Sequence, residues 1–301
     1  MSFSLRKFFT RNAAKPPAIP LQEDGPTPQE IETLVSLFTE GRYTEAATIA
    51  RTMTVRFPLH GLGWKALGVV FKRMGRNADA LAPMQKAAAL SPHDAEAHSN
   101  LIFTLDLLED NGIGELQAER RRWHEQHGRR FAGAIKPHDN LPDPERRLRI
   151  GFISADFRRH SAYYIFSPII LRHDRNAFEV VCYSGVKVED DATARLRHAA
   201  HEWRSTLGVS DEALAEQIRR DRIDILVDLS GHTAGNRLLV FARRSPGTVG
   251  RIGAGRRAAL HPRGRGCFSL DLAALVRPVE RLRRGKQFVT QPALRRHFWL
   301  L

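Results

Sequence analysis

The sequence predicts an α + α/β protein, in which a solenoid of helical repeats precedes one α/β half-domain built on a parallel sheet. Two observations carry that reading. The first third of the chain matches itself at a spacing of 34 residues, and from residue 148 short apolar runs alternate with helical stretches. The 301-residue length leaves room for about two domains.

The repeat shows when "PQEIETLVSLFTEGRYTEAATIARTMTVRFPLH" is laid over "LGWKALGVVFKRMGRNADALAPMQKAAALSPHD". Gly41 falls on Gly75, Ala46 on Ala80, Pro58 on Pro92 and Leu37 on Phe71. Glycine turns the chain between two helices, alanine lets them approach, and proline ends the second one. The pattern resembles the tetratricopeptide repeat, most fully in Trp64, Leu67, Gly68, Phe71, Ala80, Ala87 and Pro92. A third unit begins at Asp94 with His98, Leu101, Ile102 and Leu105, then gives way to a charged stretch expected to form a capping helix. His124 and His127 lie three apart there and could hold a metal, but a charged, solvated helix face is the preferred reading. These units fill residues 27–133, and the Pro-rich, polar segment 134–147 reads as a linker.

Residues 148–245 read as the α/β part. "LRIGFIS" is compact and apolar, as a strand buried on both faces must be. Helix is expected at 163–173, strand at 178–184, helix at 190–203, helix at 210–222 with Ser210 as N-cap, strand at 223–231 and helix at 236–244. In an open parallel sheet, ligands sit beyond the carboxyl ends of the strands. That places His160, which follows Asp156 after the first strand, and His232, in "SGHT", on the ligand edge. No Gly-rich phosphate loop follows these strands, so no nucleotide cofactor is expected in this half.

Composition narrows the class. No apolar run approaches the ~18 residues that span a bilayer. Residues 1–26 contain four basic residues and no acid before Glu23, without the apolar core of a secretory leader. They read as a flexible basic arm, although an organellar transit peptide has similar composition. Cys182 and Cys267 alone make neither a disulfide framework nor a cysteine zinc site, and fit a reducing cytoplasm. The +14 net charge is uneven, because residues 251–301 hold twelve Lys/Arg against two acids. The folded body is therefore nearly neutral, and neither nucleic acid nor a membrane is an expected partner.

Taken in order, the repeats, the linker, "LRIGFISADFRRHS", "FEVVCYS" and "DRIDILVDLSGHTAGNRLLVFARR" closely resemble the O-linked N-acetylglucosamine transferase family, in particular its bacterial, SPINDLY-like members, over residues 27–245. The resemblance implies a GT-B glycosyltransferase of two Rossmann-like halves, a UDP-N-acetylglucosamine donor, no cofactor or metal, and Ser/Thr acceptors on proteins bound through the repeat groove. It puts the active-site histidine at His160. Asp156, Asp224, His232 and Thr233 are expected to line the cleft, with Asp224 standing where animal members have a second histidine. After "FARR" the family's second half is not recognisable. Residues 246–301 are dense in Arg, Gly, Pro and Ala, the composition of a GC-rich gene read in a shifted frame, and are expected to lack a packed core. On that reading this chain is an inactive half-enzyme. The alternative is a protein-binding adaptor built on the repeats.

Overall fold

The computed structural model describes residues 25–109, 111–134, 140, 143, 146–243 and 248–251. Nearly all of the basic arm expected at 1–26, most of the 134–147 linker and nearly all of the 246–301 tail lie outside the described residues. The chain divides into two compact units, the first ending at Arg130 and the second beginning at Phe131.

The first unit is helical: α1 (Pro28–Thr39), α2 (Tyr43–Arg56), α3 (Gly61–Arg73), α4 (Asn77–Leu90), α5 (Ala95–Asp106) and α6 (Ile113–Trp123). Its local geometry repeats in the 34-residue register read from the sequence. Gly41 and Gly75 both adopt positive φ, 77° and 74°, where a side chain would be strained. The N–H groups of Arg42 and Arg76 close these two turns on the carbonyls of Leu37 and Phe71, each at 2.9 Å. At the next turn the Phe57 and Ser91 N–H groups bond the Met53 and Ala87 carbonyls. His60 and Asp94 then cap α3 and α5 by accepting from the N–H groups of Leu62 and Glu96.

Small residues allow the helices to cross closely. A methyl on Gly68 would sit 2.8 Å from the Met84 side chain, and one on Gly63 would sit 2.9 Å from Met53 Cβ. Ala46, Ala50, Ala66 and Ala80 are fully buried among Leu34, Met53, Val70 and Met84. Asp94 does double duty: Oδ1 caps α5, while Oδ2 accepts from Lys65 Nζ at 3.0 Å in the buried side of α3.

One expectation is corrected in this unit. His127 does not share a solvated face with His124 but is buried, 2% exposed. Residues His124–Gly128 form a π-helical turn, in which the Arg129 N–H reaches back to the His124 carbonyl. This wider winding rotates His127 inward while His124 stays exposed. His127 Nε2 lies 3.1 Å from His98 Nδ1, and His98 Nε2 lies 2.7 Å from Glu119 Oε1, itself paired with Arg122. With the carboxylate ionised, one set of tautomers satisfies the row: His98 donates from Nε2 to Glu119, and His127 donates from Nε2 to His98 Nδ1.

The second unit is a five-stranded parallel sheet in the order β3-β2-β1-β4-β5, comprising β1 (Leu148–Ser154), β2 (Phe178–Ser184), β3 (Glu202–Ser205), β4 (Ile225–Asp228) and β5 (Thr248–Arg251). Its helices are α7 (Ser161–Arg172), α8 (Asp191–Ala199), α9 (Asp211–Arg220) and α10 (Leu238–Ala242). Ile150, Phe152, Val180, Cys182 and Val227 pack with α7 and α8 through Phe166, Ile170 and Leu196. Ile153, Val181, Tyr183 and Leu226 pack with α9 and α10 through Leu214, Ile218 and Phe241. Each interior strand is thus buried on both faces, which is why β1 and β2 read as continuous apolar runs. The structure differs from the expected elements at two strands. β3 occupies part of the stretch expected to continue a helix to 203, and β5 extends the sheet past residue 245.

Ala80 sits in a fully packed crossing, so Ala80→Leu is expected to cost about 1–3 kcal/mol by overpacking, read as a lower urea midpoint. Burial and the neighbouring His98 hold His127 down at about 4 from an ordinary 6.5, with Arg130 and His93 also lowering it and Asp94 opposing. Between those values the unfolded chain binds a proton that the folded chain refuses. Stability is therefore expected to fall as pH drops from 6.5 towards 4, by up to ~1 kcal/mol per pH unit, and His127→Gln is expected to flatten that slope in pH-dependent urea titrations.

Candidate functional site

The carboxyl edge of the sheet is shaped by one local device used four times. Ser154, Ser184 and Ser205 end β1, β2 and β3 in mutual register. Each hydroxyl accepts the N–H two residues on: Asp156 at 2.9 Å, Val186 at 3.3 Å and Leu207 at 3.4 Å. At the end of β4 the Asp228 carboxylate does the same for Ser230 at 3.0 Å and also takes the Gly231 N–H at 2.9 Å. A polar side chain that bonds its own backbone two residues on turns the chain sharply without help from solvent. Four loops therefore leave the strands at one level.

β1 and β4 are neighbours whose connecting helices lie on opposite faces, which makes the gap between them the topological switch point of the sheet. The two loops there are tied together. The Ala155 N–H donates to Ser230 Oγ at 3.3 Å. Gly235, at φ 78°, comes so close that an added methyl would lie 3.0 Å from Ala155 Cβ. Buried Arg237 fastens the far end of the β4 loop by donating to the carbonyls of Val209 and Thr206 and pairing with Asp211 at 2.9 Å.

His160 caps α7 at this point. Its Nδ1 accepts the Ala162 N–H at 3.3 Å and lies 4.0 Å from Asp156 Oδ2, and its side chain is 38% exposed. A neutral ring that accepts at Nδ1 carries its proton on Nε2, so the ring offers solvent a donor. Asp156 is shielded, 16% exposed at its side chain, and receives Arg158 Nη2 at 3.4 Å.

The other expected residues fall differently. His232, expected to line the cleft, is buried in the β4 loop, 8% exposed. Thr233 is half-buried, and its hydroxyl donates to the Ser230 carbonyl at 2.8 Å. Asp224 is the clear correction: it precedes β4, at the amino edge of the sheet. Its Oδ2 accepts the Arg149 N–H and Arg146 Nη1, both at 2.8 Å, and Oδ1 takes Arg146 and Asn140. Although burial opposes it, those donors hold its carboxyl below the usual range. The strand length fixes the outcome, since a residue before a parallel strand cannot share an edge with residues after it. The structure thus brings Asp156 and His160 together and leaves Asp224 apart. Sequence reasoning passed over Asp190 and Thr193, which bond the His160 loop from the start of α8. The spacing of an Asp three residues before a Thr was legible as a cap, but not as a contact with a distant loop.

Residues 132–253 match the family described as Glycosyl transferase family 41. The α/β part of this chain is thus similar to glycosyl transferase family 41. Over 162 residues the chain is 34% identical to a protein of Arabidopsis thaliana named probable UDP-N-acetylglucosamine–peptide N-acetylglucosaminyltransferase SPINDLY, covering 52% of this chain and 17% of that one. A Caenorhabditis elegans UDP-N-acetylglucosamine–peptide N-acetylglucosaminyltransferase is 34% identical over 102 residues, 33% of this chain and 9% of that one. Among solved structures, a mutant O-GlcNAc transferase of Thermobaculum terrenum superposes with a TM-score of 0.66 at 33% identity, covering 74% of this chain and 43% of the other. This chain therefore spans about a sixth of the length of the first relative and under half of the solved one. No described helix is long and apolar enough to cross a membrane.

Asp224→Ala is expected to lower stability by roughly 1–3 kcal/mol, because it removes the carboxylate that accepts the Arg149 N–H and pairs with Arg146. Chemical denaturation checks this, and ring signals from His160, at the opposite edge, are expected to stay unchanged.

Proposed function

We propose that this chain carries the first Rossmann-like half of a GT-B enzyme that moves N-acetylglucosamine from UDP-N-acetylglucosamine to Ser/Thr hydroxyls of proteins. The observation that carries this reading is His160, half-exposed at the switch point of a family 41 sheet with its second ring nitrogen directed to no hydrogen-bond partner among the described residues. Transfer needs an acceptor hydroxyl held in line, a route for its proton, and charge to steady the departing diphosphate. The Ala162 N–H on Nδ1 favours a ring that donates from Nε2, and so supports positioning an oxygen over accepting a proton. His232 and Thr233 support the loop from within. Diphosphate binding falls to a second half of the enzyme, and the helical unit, read as tetratricopeptide repeats, presents acceptor proteins in the cytoplasm.

On this reading the 301-residue chain transfers no sugar by itself, and joining it to the second half of a family 41 enzyme confers transfer. In that joined protein His160→Ala is expected to lower kcat by about 10²-fold. Radiolabelled transfer to a protein acceptor measures both. Turnover by the 301-residue chain alone would overturn the half-enzyme reading, and full activity of the joined His160→Ala protein would reduce His160 to a helix cap. The second reading, an adaptor that binds peptides through its helical unit, is favoured if DNA downstream of the gene encodes no second half in any frame.

A further inference from the structure

We infer that Asp190 and Thr193, at the amino end of α8, are positioning residues that fix the His160 loop, a role that rests on the reading of His160 given above. Loop 155–160 has two anchors next to the histidine. The Arg159 N–H donates to Asp190 Oδ2 at 2.6 Å, and Thr193 Oγ1 donates to the Phe157 carbonyl at 2.7 Å. Phe157 between them is fully buried, edge-on to Phe166 at 5.5 Å and against Trp203 at 5.3 Å.

Helix capping alone does not account for this pair. A cap uses one carboxylate oxygen, and Asp190 Oδ1 supplies it to the Thr193 N–H at 2.9 Å. The reciprocal bond is made as well, from the Asp190 N–H to Thr193 Oγ1 at 3.2 Å. The second carboxylate oxygen is left over and is spent 31 residues away on the Arg159 N–H, and the Thr193 hydroxyl, although 3.1 Å from Asp190 Oδ1, makes its shorter bond, 2.7 Å, 36 residues away to the Phe157 carbonyl of the loop that carries His160. Thr193 is fully buried, so its hydroxyl has no water to turn to. The two N–H donors keep the Asp190 carboxyl below the usual range, and thus ionised at neutral pH. The neighbouring Arg159–Asp191 pair is exposed on both sides and contributes little to the hold.

The anchors and the cap separate experimentally. Asp190→Asn keeps an oxygen for the Thr193 N–H, and Asn caps as well as Asp, but its amide nitrogen would face the Arg159 N–H donor to donor. Thr193→Val removes the hydroxyl, and Thr193→Ser restores it. In the full chain, nitrogen-15 NMR of His160 is expected to show the Nε2–H ring in the parent. In Asp190→Asn and Thr193→Val the ring signals are expected to shift, and amide exchange at Arg159 and Ala162 to quicken about tenfold or more. In Asp190→Asn exchange within α8 stays as in the parent, whereas Thr193→Val also loses the reciprocal capping bond, and Thr193→Ser returns the His160 signals. Unchanged His160 signals in both variants would overturn the inference. So would loss of α8 protection in Asp190→Asn in step with the ring change, which would make the pair a cap and nothing more. The ring readout does not depend on transfer: if joined His160→Ala is fully active, the proposed function fails while the anchoring is still decided by NMR. If His160→Ala is impaired and Asp190→Asn is not, the positioning role is overturned.

Discussion

The functional edge depends on how each strand stops. In β1, β2 and β3 the last residue is a serine whose hydroxyl takes the N–H two positions on, and in β4 an aspartate does so. A strand buried on both faces cannot end by exposing unpaired amides to a dry interior; they must find partners within a residue or two. Meeting that need with side chains of the strand itself keeps the loops short and sets them at one height. Everything else at the edge is arranged on that level: the Ala155 contact with Ser230, the close pass of Gly235, and the turn that puts His160 at the start of α7.

Much of this architecture is legible in the sequence, because its causes are local. The 34-residue register is visible as Gly41 and Gly75 since positive φ demands glycine, and the backbone repeats where those residues do. β1 and β2 show as apolar runs because both faces are covered. β3 was hidden for the opposite reason. It is four residues at one end of the sheet order, two of them charged and most half-buried, so in "EWRS" Trp203 is the one apolar side chain and the strand borrows its conformation from β2. The inward turn of His127 was likewise hidden, because an α-helical spacing rule fails where the helix widens for one turn.

The site was legible in part. A histidine a few residues past a buried strand is placed by strand direction alone, and His160 lies where that rule puts it. Whether such a histidine faces water is a matter of packing, and His232, in an equivalent loop, is buried. Asp224 shows the limit of carrying a role over by sequence position, since its carboxylate is engaged by Arg146 and Arg149 at the amino edge. Asp94 and Asp190 share a further economy: each divides its two oxygens between capping its own helix and holding a group from another segment. One residue then settles both where a helix begins and what lies beside it.

The helical unit has a consequence of its own. Its helices pack mainly against their neighbours in the chain. Such an assembly behaves as a row of coupled units, each stabilised by its own folding and by its junctions. Damage to a terminal helix shortens the cooperative block and leaves the rest standing. Equal damage at α3, which has a packed neighbour on either side, divides the block into two fragments, each too short to hold itself together.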